Sequence, residues 1–171
     1  LMPSKWQFRM KMTLYAAVLL AALLLDEAVF SALALWFRPC VMPVAVACIG
    51  LWEGTEKGSI FGLAGGCLWA WSGPLSILGA WHIVALTLVG FGCGLLAQRF
   101  LLQSWKTIFS VSAPAVILTE GLYVLARISS GTLPGVVLIT DFVPECLLSA
   151  AFCLIFYPVT QHISRIGGFH G

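Results

Sequence analysis

A chain of 171 residues that is 60% hydrophobic and only 9% charged lacks the charged quarter, roughly 25%, that a water-soluble domain carries. Together with a mean hydropathy of +1.00, this excludes a separate soluble domain and predicts one transmembrane domain over residues 1–171. The net charge of +2, with no basic stripe interleaved with aromatics, offers no footing for nucleic acid.

Lys5, Arg9 and Lys11, with Trp6 and Phe8, make a basic, aromatic start suited to a membrane interface. Met12 to Trp36 follows as a first span, rich in alanine, with Asp26 and Glu27 in its second half. No convincing small-residue cleavage site follows the basic start, so it is expected to be a retained helix and not a removed signal peptide. Arg38-Pro39 ends it. Cys40 to Trp52 is a short second run, which in lipid implies little tilt, a thinned bilayer or recruited flanks.

The stretch IGLWEGTEKGSIFGLAGGCLWAWSGP, from Ile49 to Pro74, then places glycines at 50, 54, 58, 62 and 66. The polar residues Glu53 to Lys57 predict a turn. After it, Gly58 to Trp71 forms a third run. Its glycines Gly58, Gly62 and Gly66 share one helical face, because residues four apart stack on a helix. Each glycine weakens a helix in water by about 1 kcal/mol relative to alanine, but a face without side chains lets another backbone approach closely in lipid. Trp69 and Trp71 close the run as an interfacial pair, and Ser72-Gly73-Pro74 is a turn.

Ile77 to Ala97 is the fourth span, with Trp81 and His82 near its start and Gly90 and Gly94 further along. Thr107 to Ala126 is the fifth, with Pro114 and, deep in the run, Glu120. Gly135 to Tyr157 is the sixth, carrying Asp141 and Glu145 one turn apart and Pro144 between them as a kink. The fold class expected is therefore all-α: a polytopic bundle of six transmembrane helices. With the N-terminus inside, the inner segments hold Lys5, Arg9, Lys11, Lys57, Arg99, Lys106 and Arg165, against Arg38 and Arg127 outside. The positive-inside rule thus favours both termini cytoplasmic.

This topology gathers the ionisable residues of the spans at the outer end: Asp26, Glu27, His82, Glu120, Arg127, Asp141 and Glu145. A charge in lipid costs about 2.5–3.5 kcal/mol on insertion scales, so such residues face the bundle interior, water or a partner. The repulsion between Asp141 and Glu145 calls for a cation, with Arg127 nearest in sequence, or for a proton. The six cysteines are expected to be small packing residues, since no pair has zinc or redox spacing. No nucleophile stands with a base at motif spacing, and neither a metalloprotease helix nor a phosphate loop is present in the sequence. The expectation is a non-enzyme without cofactor or metal.

Pro43 near the start of the short second run, the Gly58-Gly62-Gly66 helix after a polar turn, and GPLSILGAWHIVALTLVGFGCGLL from Gly73 to Leu96 resemble the rod shape-determining protein MreD family. Tyr157-Pro158 before a basic tail is similar to that family's last span. The likeness covers nearly the whole chain. Where the family usually carries an aspartate after the glycine helix, this chain has Trp69-Ala70-Trp71. The resemblance implies a multi-pass scaffold of the bacterial cytoplasmic membrane, serving cell-wall elongation. Its implied partners are an MreC-like bitopic membrane protein, RodA with a class B penicillin-binding protein, MreB indirectly, and the lipid bilayer. The alternative is the substrate-binding S component of an energy-coupling-factor vitamin transporter, which has a similar six-helix plan. In that case Trp69, Trp71, Trp81, His82, Glu120, Arg127, Asp141 and Glu145 would line an outward pocket.

Overall fold

The computed structural model describes residues 5–29, 40–72, 77–100, 105–129, 143–149 and 151–166. All of its secondary structure there is helical. Helix α1 spans Lys5–Leu24 and continues into a π-helical turn, Leu25–Val29. Helix α2 spans Met42–Glu53, α3 Thr55–Ser72, α4 Ile77–Phe100 and α5 Trp105–Ser129. Residues 143–149 are helical, and α6 spans Cys153–Arg165. Among the described residues, three stretches are long and apolar enough to cross a membrane: Lys5–Ala28, Ala80–Arg99 and Val143–Arg165. Two shorter apolar helical stretches accompany them, Met42–Glu53 and Ser110–Leu122. The chain is a helical bundle with the composition of a membrane protein.

The short helix α2 is the axis of this bundle. Every residue from Cys40 to Leu51 is buried, and α2 touches α1, α3, α4, α5 and α6. A helix apolar on all sides must be surrounded, by lipid or by protein. Here the surround is protein, so α2 has no lipid-facing side and its length need not match the bilayer. The outer helices show the opposite pattern. Leu20, Leu24, Ile60, Leu63, Leu88, Phe91 and Ile155 are large, apolar and exposed, as expected where the solvent is lipid.

One residue joins α2 to α3. Gly54 has φ +85°, a left-handed conformation that disfavours any side chain. Its N–H donates to the Gly50 carbonyl at 3.0 Å, and the Gly58 N–H donates to the Gly54 carbonyl at 2.9 Å. The polar run predicted as a turn is therefore divided. Glu53 ends α2, and Thr55, Glu56 and Lys57 form the first turn of α3.

Helices α3 and α4 pack antiparallel, backbone on backbone. A Cβ on Gly58 would strike the Gly90 carbonyl, and one on Gly90 the Gly58 carbonyl. A Cβ on Gly62 would strike the Leu86 carbonyl, and one on Gly66 would stand 2.6 Å from the Ile83 Cα. A Cβ on Gly94 would stand 2.5 Å from the Thr55 Cα and N. Helix α2 joins the same crossing, because a Cβ on Gly50 would stand 2.7 Å from the Gly90 carbonyl oxygen. Gly50, Gly58 and Gly90 thus let three helices meet at one point. Gly92, two residues further on, has open space around it.

Helices α1 and α3 run parallel, with α2 behind them. Tyr15 meets Phe61 edge-on with ring centroids 5.6 Å apart. Leu19 lies beside Gly65, and the Ser72 hydroxyl donates to Glu27 at 3.3 Å. At the other end Lys11 and Lys57 flank one carboxylate. The bundle closes where α6 returns to the start of α1: Lys11 Nζ donates to the Ser164 carbonyl at 3.1 Å.

Candidate functional site

Polar side chains collect at the two ends of α2. At the end bearing the N-terminal residues, Glu53 is held by three side chains from two helices. Lys11 of α1 reaches Oε1 at 2.6 Å and Lys57 of α3 reaches Oε2 at 2.6 Å. The Tyr15 hydroxyl of α1 donates to Oε1 at 2.8 Å. The Glu53 side chain is 3% exposed. Burial alone would push its carboxyl up. The hydrogen bonds from Lys11, Lys57 and Tyr15 outweigh burial and hold it below its ordinary value. The carboxylate also stands where α2 ends, and Lys11 brings a cation to that negative helix terminus.

The signals for this cluster lay in the sequence, but Glu53 was not among the predicted site residues. Glu53 and Lys57 are four apart across Gly54, and Lys11 and Tyr15 are four apart on one face of α1. A polar run between two apolar runs reads first as a solvated turn.

At the opposite end, the π-helical turn of α1 carries Asp26 against the start of α2. Its Oδ1 accepts the Val41 N–H at 2.9 Å and its Oδ2 accepts the Met42 N–H at 3.1 Å. The first N–H groups of any helix lack partners within it, and here another helix supplies both acceptors. The Cys40 N–H donates to the Ser149 hydroxyl at 2.7 Å, and the Cys40 thiol donates to Glu120. Glu145 lies close enough to Glu120 for the two carboxyls to interact. Asp26, Glu120 and Glu145 therefore converge around Cys40 and Val41, drawing α1, α5 and the helical stretch 143–149 to the start of α2.

The other predicted outer residues are dispersed. Glu27 is exposed and pairs with Ser72. His82 packs on Trp69 with ring centroids 4.4 Å apart, a contact between α3 and α4. Asp141 and the Arg127 side chain lie outside the described residues, and so does the proposed pairing between them. Trp71 is 87% exposed and Trp81 44%, so these two rings point away from the bundle. Among the described residues no group of His, Cys, Asp and Glu is placed to hold a metal ion.

Chemically, both clusters join helices. Each ties a backbone terminus of α2, or a charge beside it, to side chains from several other helices. No family model, curated protein or solved structure matches the chain.

Proposed function

We propose that this chain is an integral membrane scaffold of the bacterial cell-wall elongation machinery, embedded by six helices with both termini cytoplasmic. In this role it binds an MreC-like bitopic protein and supports the RodA–penicillin-binding-protein synthase. The observation that carries a scaffold role is how the outer polar residues are used. Asp26 caps α2, Glu120 accepts from Cys40, Glu27 pairs with Ser72, and His82 packs on Trp69. Such residues fix helices against one another. The named machinery rests on the sequence resemblance from Pro43 to Pro158.

The surface available to a partner on the outer side is the rim formed by Glu27, Trp71 and Trp81, all exposed. Aromatic side chains with an apolar body and a polar edge suit a protein contact at the membrane interface. The test is co-purification from the native membrane after light crosslinking. Recovery of the bitopic protein and the synthase, lost in Trp71→Ala, supports the assignment. Recovery of a transporter coupling subunit with two ATPases, or of a bound vitamin, replaces it with the S-component alternative.

A further inference from the structure

Lys5, Phe8 and Arg9 stand three and four residues apart on α1 and share one face. All three are exposed. The Phe8 ring lies 5.6 Å from Lys57 Nζ, which places the first turn of α3 beside that face. Lys57 pairs with Glu53 and yet keeps 36% of its side chain exposed. Lys11, Arg99 and Arg165 belong to the same end of the bundle, as the contacts of Lys11 with Ser164 and of Gln98 with Thr55 show. Against these cations, the carboxylates at this end among the described residues are Glu53, buried between two lysines, and Glu56.

We infer that the start of α1 and the start of α3 together bind the headgroup of an anionic phospholipid. Lys5 and Arg9 approach the phosphate from one side and Lys57 from the other, with the Phe8 ring as the floor between them. The anion is one that carries acyl chains, because the surface running from the patch along both helices is apolar and exposed, through Leu20 on α1 and Leu63 on α3. Trp6, 70% exposed beside the patch, suits the headgroup depth where amphipathic rings settle. A juxtamembrane cation contributes about 1 kcal/mol to anionic-lipid binding, roughly fivefold. This inference needs the membrane and the charge pattern, and it stands apart from the scaffold assignment.

Native mass spectrometry of the detergent-purified chain tests it, with phosphatidylglycerol and phosphatidylcholine of identical acyl chains as probes. Wild type is expected to retain phosphatidylglycerol preferentially. The preference should fall about fivefold for each charge removed in the Lys5→Gln/Arg9→Gln variant, and Arg99→Gln should leave it in place. Both variants alter exposed side chains, and a tryptophan-fluorescence melt checks that they remain folded. Equal retention of the two lipids by wild type overturns the inference. So does an equal loss in Arg99→Gln, which would mean a diffuse field and not a site, and so does displacement of the lipid by inorganic phosphate.

Discussion

Lys11 holds Glu53 Oε1 at 2.6 Å, joining the first turns of α1 to the last residue of α2. The same lysine donates to the Ser164 carbonyl of α6. One side chain therefore links the beginning and the end of the described bundle through its buried axis. Removing the acceptor leaves two ammonium groups without their carboxylate. Breaking a buried pair by deleting one partner costs about 3–5 kcal/mol, and the partial exposure of Lys57 places Glu53→Gln at the lower end. A thermal melt in detergent is expected to show a large loss for Glu53→Gln. Lys57→Gln should lose about 1 kcal/mol or less, as exposed pairs do.

The same carboxylate sets a pH dependence. Its folded-state value lies below its ordinary 4.5, so its stabilisation is complete above 4.5 and is lost as pH falls through the folded value. The stability gap between wild type and Glu53→Gln should stay constant from neutral pH down to about 4.5 and narrow progressively below it, until the folded value is passed. A gap that narrows well above 4.5 would mean that the lysines do not control this carboxyl.

The glycine contacts predict a sharp positional pattern. Gly62→Leu and Gly90→Ala each drive a side chain into a backbone carbonyl of the facing helix. Overpacking costs about 1–3 kcal/mol where side chains give way, and backbone gives way less. Both variants should lose folded protein in size-exclusion profiles. Gly92→Ala, on the same helix in open space, should be indistinguishable from wild type.

The start of α2 offers a further comparison. Asp26→Ala removes the acceptors of the Val41 and Met42 N–H groups. Loss of a cap costs about 0.5–2 kcal/mol. The expected loss lies at the upper end, because two N–H groups are stranded away from water. Asp26→Asn keeps one acceptor oxygen and should fall between wild type and alanine in the same melt.

These residues also mark where the sequence is informative and where it is silent. Helical, membrane-compatible segments follow from composition and run length, and the glycine face of α3 follows from its spacing of four. That Gly58 faces Gly90 does not follow, because spacing defines a face and not its partner. The place of α2 was hidden for a related reason. An all-round apolar helix looks the same whether lipid or protein surrounds it. Asp26 was visible as a costly charge in an apolar run, but its partners are backbone N–H groups on another helix, which side-chain patterns cannot announce. Glu53 reads as part of a polar turn because the residues that bury it, Lys11 and Tyr15, are some forty positions earlier.

The burial of α2 carries a consequence for biogenesis. Twelve residues make a helix about 18 Å long, well short of the roughly 30 Å hydrocarbon layer. It is made after α1, yet its sheath includes α4, α5 and α6, which are made later still. Until those arrive, α2 has only α1 and α3 against it, and its remaining flank meets translocon, lipid or a chaperone. A nascent chain halted before residue 105 should therefore sit differently in the membrane from the finished protein. Glycosylation-site mapping of staged truncations would record the moment at which the innermost helix, made before most of its sheath, becomes enclosed.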